Sequence, residues 1–122
     1  MRTFSLVAAL TAILLRAAPA DACQCIAPGT DEEETRLADV VFVGTVTSIT
    51  EPKVGQRNAT AQLAVETAIK GSQRNTTLAI DMPAASVMCG FHFERGKRYK
   101  VFAYKNDRGA LTTRMCTASR SL

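Results

Sequence analysis

The cysteine arrangement constrains this chain more than any other feature. Cys23 and Cys25 are separated by one residue in "APADACQCIAP" (18–28), and Cys89 and Cys116 complete the set. Four cysteines in a short chain read as two disulfides if the chain enters an oxidising compartment. The first 22 residues supply that condition. Arg2 gives a positive start, Phe4 to Leu15 form an apolar run of twelve residues, and small residues follow. The run is too short to span a bilayer and has the layout of a secretory signal peptide. Residues 1–22 are therefore expected to be removed and the protein to be secreted, extracellular and not membrane-bound. Ala18-Pro19-Ala20 and Ala20-Asp21-Ala22 both offer small residues for cleavage. A cut after Ala22 makes Cys23 the first residue; a cut after Ala20 leaves Asp21 and Ala22 ahead of it.

All four cysteines lie in 23–122, a span of 100 residues that suits one domain with a single modest core. Four cysteines allow three pairings. Joining Cys23 to Cys25 would close a very small, strained ring, so each is expected to reach a distant partner. Each bridge then closes a loop of more than sixty residues, contributing about 4 kcal/mol in the chain-entropy description. The adjacent cysteines tie the start of the mature chain down at two neighbouring points, and a monomer is expected. The formal charge is +4; removing Arg2, Arg16 and Asp21 takes away two cations and one anion and leaves +3. Basic residues spread along an exported chain suit a weak affinity for anionic glycans of the extracellular matrix rather than nucleic acid.

Thr30 followed by Glu33 has capping-box spacing, and Asp31, Glu32, Glu33 and Glu34 suit the positive end of a helix over Asp31 to Ala38. The acidic run reads as a solvated first turn rather than a cation site. Beyond it the pattern becomes β. "VVFVGTVTSI" (40–49) is β-branched and aliphatic, with Gly44 as a bulge or close-approach point. "TAQLAVETAIKG" (60–71) alternates, with Leu63, Val65 and Thr67 expected on one side. "TTLAIDM" (76–82) places Leu78, Ile80 and Met82 on one face before Pro83 stops it. "KRYKVFAY" (97–104) and "ALTTRM" (110–115) flank "KNDRG", the strongest hairpin signal in the chain. Five strands and one short helix, with no repeating βα units, predict a mainly β fold built on a small barrel.

Chemistry of its own is sparse. His92 is the single histidine, which excludes a multi-histidine zinc site and weakens any catalytic triad. Oxidised cysteines act neither as nucleophiles nor as metal ligands, and no phosphate-cradling glycine loop is present. The chain is not expected to be an enzyme or to carry a cofactor. Asn58-Ala59-Thr60 and Asn75-Thr76-Thr77 match the glycosylation acceptor pattern.

Taken in order, "CQCIAP", "ADVVFVGTV", "VETAIKG", "SVMCGF", "GKRYKVFAY" and "GALTTRMC" resemble the N-terminal, netrin-like domain of tissue inhibitors of metalloproteinases. The resemblance covers Cys23 to about Cys116. It implies a five-stranded OB-fold barrel with a short accessory helix and two disulfides, Cys23–Cys89 and Cys25–Cys116. It also implies an inhibitory ridge made of Cys23, Gln24, Cys25, Ile26, Ala27 and Pro28 together with Ser86, Val87, Met88 and Cys89. The chain departs from the family at several points, among them a short loop between the first two strands. Gln24 stands where the animal inhibitors carry Ser or Thr, and the helical stretch Glu32 to Asp39 has no cysteine for a third bridge.

The chemistry of such a ridge follows from simple rules. A catalytic protease zinc has three protein ligands and an open position that holds water. An α-amine has a pKa of about 8, so its neutral form is accessible at neutral pH. The amine and carbonyl of Cys23 can then chelate the target's zinc and displace its water, with Gln24 directed into the neighbouring specificity pocket. Two disulfides would hold the amine in place before binding and lower the ordering cost. The expected partners are therefore zinc metalloendopeptidases, and the only metal involved is theirs. The competing reading is a non-inhibitory netrin-like module for a glycan or protein ligand, in which the cysteine pair is purely a staple.

Overall fold

The strand pattern of the sequence becomes a closed barrel. The computed structural model describes residues 29–83, 91–113 and 116–122. Helix α1 (Asp31–Leu37) is followed by β1 (Val40–Thr50), β2 (Asn58–Lys70), β3 (Thr77–Pro83), β4 (Arg98–Lys105), β5 (Leu111–Thr112) and β6 (Arg120–Ser121). The strands are ordered β1-β2-β3-β5-β4, and β4 pairs back onto β1. All pairings are antiparallel except β3 with β5. Five strands thus close on themselves in an arrangement consistent with an OB-like barrel. The sixth, β6, adds to β4 at Tyr99 and Lys100.

Closure depends on bending β1 and β2, and their register shows where. It shifts between Val41 and Phe42, between Val43 and Gly44, and between Val46 and Ser48. Each shift leaves one residue unpaired and increases the local twist. Gly44 fulfils both roles expected of it. It sits at a bulge, and a Cβ there would lie 2.5 Å from the Ala64 carbonyl oxygen, so only glycine lets the two backbones approach this closely. The same bulge corrects one expectation. Leu63 and Val65 face the core, but Thr67 is exposed, because unpaired Glu66 changes the parity of the strand beyond Val65.

The barrel interior is filled by Phe42, Val46, Leu63, Val65, Ile80, Met82, Tyr99 and Val101 among others, with Leu78 packed at its edge. Leu78, Ile80 and Met82 therefore line one face of β3 as their alternation indicates. The centre of β4 is buried on both faces: Val101 and Ala103 point inward, while Phe102 joins Ala38, Val41, Tyr104 and Ala118 in a second cluster. Helix α1 reaches this outer cluster through Ala38, the residue that caps its C-terminus. Its N-cap is Thr30, whose Oγ1 accepts the Glu33 N–H at 3.2 Å, and Ala38 forms the C-cap. Lys70 Nζ donates to the Thr35 and Arg36 carbonyls at 2.9 and 3.1 Å, placing a cation at the negative end of the helix.

The β4–β5 hairpin turns where "KNDRG" indicates. Asn106 Oδ1 accepts from the Arg108 and Ala110 N–H groups, and Gly109 takes φ 76°, a left-handed value that favours glycine. The last strand is shorter than the sequence suggests. Only Leu111 and Thr112 pair with β3. Thr113 then turns inward, and Arg114 and Met115 lie outside the described residues. Thr113 Oγ1 donates to the Phe102 carbonyl at 2.8 Å, and Ser119 Oγ accepts the Phe102 N–H at 2.9 Å. These hydroxyls occupy the one rung of β4 between its pairings with β5 and β6, so buried backbone groups stay satisfied where no strand reaches them.

Candidate functional site

The residues expected to form a ridge fall in two stretches, Cys23 to Pro28 and Ser86 to Cys89, and both lie outside the described residues. The same holds for the leader and for three of the four cysteines. Cys116 is described: it is exposed and disulfide-bonded. Asn58 and Asn75 are both exposed. Asn58 is the first residue of β2, and Asn75 sits in the β2–β3 turn with φ 62°, a conformation asparagine tolerates better than most side chains. His92 is exposed. Among the described residues no group of three or more His, Cys, Asp or Glu converges as a metal site, and no helix is long and apolar enough to cross a membrane.

The described chain has a firm anchor just beyond each of the two stretches and another at Cys116. Phe91, two residues beyond Cys89, belongs to an aromatic trio with Phe93 and Tyr99, with ring centroids 4.9 to 5.6 Å apart. Phe93 and Tyr99 are buried in the barrel end, and two of the three contacts are edge-on, the favoured geometry for aromatic rings. Tyr99 Oη accepts the Glu94 N–H at 2.9 Å. Cys116 is held by its neighbours: Thr117 Oγ1 donates to Ser119 Oγ at 2.9 Å and contacts Thr113 Oγ1 at 3.1 Å. The hydroxyl cluster fastens this segment to β4 close to the disulfide.

The third anchor is Asp31, three residues after Pro28. Its carboxylate accepts two hydrogen bonds from Arg120 at 2.9 and 3.0 Å and one from Lys100 Nζ at 2.8 Å. The start of α1 is thereby joined to β6 and β4 at once. Glu34 accepts from Tyr104 Oη at 2.6 Å. The acidic run is thus only partly the solvated turn its composition suggests. Glu32 and Glu33 are exposed, while Asp31 and Glu34 bind the helix to the barrel. The Arg120 hydrogen bonds and then that of Lys100 hold the Asp31 carboxyl well below the usual carboxylate range, because both partners favour the ionised form.

A depressed folded-state pKa stabilises the fold above the ordinary value near 3.8 and stops doing so as pH falls through the acid range. Asp31→Asn is therefore expected to cost about 1 kcal/mol at neutral pH, after allowing for solvent screening of a half-exposed group. The difference from the parent should shrink as pH drops below about 4. Denaturant titrations across that range check it, and a gap independent of pH would show that the charge is not what matters.

Three features of the structure have little or no signal in the sequence. Arg120 pairs with an acid 89 positions away, and nothing local signals such a partner. The hydroxyl cluster has a faint signal in the density of Thr and Ser after Leu111. The third is a polar cleft where the β1–β2 loop meets the β4–β5 hairpin, lined by Arg57 and Arg108. Two loops distant in sequence form it, so only the closed topology reveals it. No protein-family model matches the chain, and no curated protein matches it.

Proposed function

We propose that the chain from Cys23 onward is a secreted inhibitor of zinc metalloendopeptidases, acting through the α-amine and carbonyl of Cys23 on the target's catalytic metal. The observation that carries this reading is a closed five-stranded barrel whose Cys116 is disulfide-bonded, in a chain where the Cys23-Gln24-Cys25 arrangement directly follows an apolar, small-residue run. A barrel closed by pairing of β1 with β4 is a rigid support, and rigidity is what a terminus needs to present two donor atoms without paying for their ordering. In this proposal Cys23 bridges to Cys89 and Cys25 to Cys116, on an OB-fold related to tissue inhibitors of metalloproteinases. Ile26 to Pro28 and Ser86 to Met88 flank the chelating residue and contact the target's cleft, and Gln24 enters its specificity pocket.

The test begins with the secreted protein. N-terminal sequencing is expected to start at Cys23, and that material is expected to inhibit a zinc endopeptidase at equimolar concentration. A start at Asp21 would overturn the reading, because two residues ahead of Cys23 convert its amine into an amide that cannot chelate. Full protease activity in the presence of protein starting at Cys23 would also overturn it. Either result would favour the non-inhibitory binding module.

A further inference from the structure

We propose that the cleft between the β1–β2 loop and the β4–β5 hairpin binds acidic saccharides. This site shares no residue with the proposed ridge and stands whether or not the chain inhibits a protease. The parallel pairing of Asp81 with Thr112 brings the hairpin alongside β3, so that Arg108 near its tip and Arg57 at the end of the β1–β2 loop line the same cleft. Its floor is the outer face of β2 and β3, where Asn58 and Thr60 alternate with buried Ala59 and Ala61, and Asp81 lies opposite Thr60. The cleft has a volume of about 570 Å³, within the size that holds a small ligand.

The charges in this cleft are unequal. Asp81 Oδ1 already accepts from Thr60 Oγ1 at 3.2 Å. Neither the Arg57 nor the Arg108 guanidinium has a carboxylate partner among the described residues, whereas Arg98 and Arg120 both do. Two free planar forks can each take a carboxylate or sulfate in bidentate fashion. Gln56, Asn58 and Thr60 add amide and hydroxyl groups suited to sugar hydroxyls. Among the described residues no aromatic side chain lines the cleft, which leaves no stacking platform for nucleobases there. Anionic groups beside many hydroxyls describe a uronate-bearing or sulfated glycan. Asn58 also lies within a glycosylation acceptor sequence, and a glycan attached there would occupy the same space.

The test uses the full chain exported to a bacterial periplasm, where disulfides form and Asn58 stays unmodified. The probe is a heparin-derived tetrasaccharide, followed by amide chemical shifts and calorimetry. Shifts are expected to concentrate at Gln56–Thr60 and at Arg108, with affinity falling as salt is added. Arg57→Gln and Arg108→Gln should each weaken binding about tenfold while leaving the unfolding midpoint unchanged. Arg74→Gln, an exposed arginine in the β2–β3 turn, should leave binding as it is. Equal weakening by Arg74→Gln, or shifts spread over every basic residue, would overturn the proposal in favour of diffuse charge attraction. Equal binding of neutral maltotetraose, or complete competition by inorganic sulfate at the same concentration, would also overturn it.

Discussion

Adding one alanine ahead of Cys23 should abolish most protease inhibition, by at least about 100-fold or close to 3 kcal/mol, with no change in unfolding temperature. The reason is geometric. One added residue displaces the free amine by about 3.8 Å and turns the Cys23 nitrogen into an amide, which is a poor donor to zinc. The five-membered chelate made by an amine and the carbonyl of the same residue is then unavailable at the position the disulfides would hold. Nothing in the barrel changes, since α1 begins eight residues later at Asp31. Inhibition constants and thermal unfolding measured on both forms make the check. Equal potency with and without the extra alanine would rule out chelation by the terminus, and the ridge would have to act by occlusion alone.

The second large effect lies in the fold itself. Phe102→Ala is expected to destabilise the domain by about 3–5 kcal/mol, a large share of the roughly 5–15 kcal/mol that holds a domain together. For a chain of this size that corresponds to a fall in Tm of more than about 12 °C. Phe102 is fully buried, yet it does not face the barrel interior. It fills the outer cluster with Ala38, Val41, Tyr104 and Ala118, and Lys100 Nζ lies 5.4 Å from its ring centroid. Removing the ring opens a cavity beside Ala38, the C-cap of α1, while Asp31 and Glu34 still hold the helix to β4 and β6. In the inhibitor reading α1 leads directly back to Cys23–Pro28, so inhibition should weaken at temperatures where the variant remains folded. A Tm within about 4 °C of the parent would show that the outer cluster closes over the lost ring.

What was legible in the sequence was local. The helix follows from Thr30 and the acids after it, the hairpin from Asn106 and Gly109, and the bulge from Gly44. Two of the strands, β2 and β3, follow from apolar residues at every second position, because short-range sterics and burial of one face act within a few residues. Thr67 shows where that logic stops, since one unpaired residue in β2 turned it outward. Register is a property of two strands together.

The candidate sites divide the same way. The cysteine spacing, the ordered motifs and the small-residue run before Cys23 belong to the chain as a string of residues, and the inhibitor proposal joins them to the closed barrel. The short β5, the added β6, the three-way contact at Asp31 and the Arg57–Arg108 cleft belong to the closed barrel alone. Each joins residues at least twenty positions apart, and no local preference encodes which distant group will be neighbour to which. Composition and spacing determined what this chain could build. Closure of β4 onto β1, and of β5 onto β3, decided which charges, hydroxyls and rings would meet.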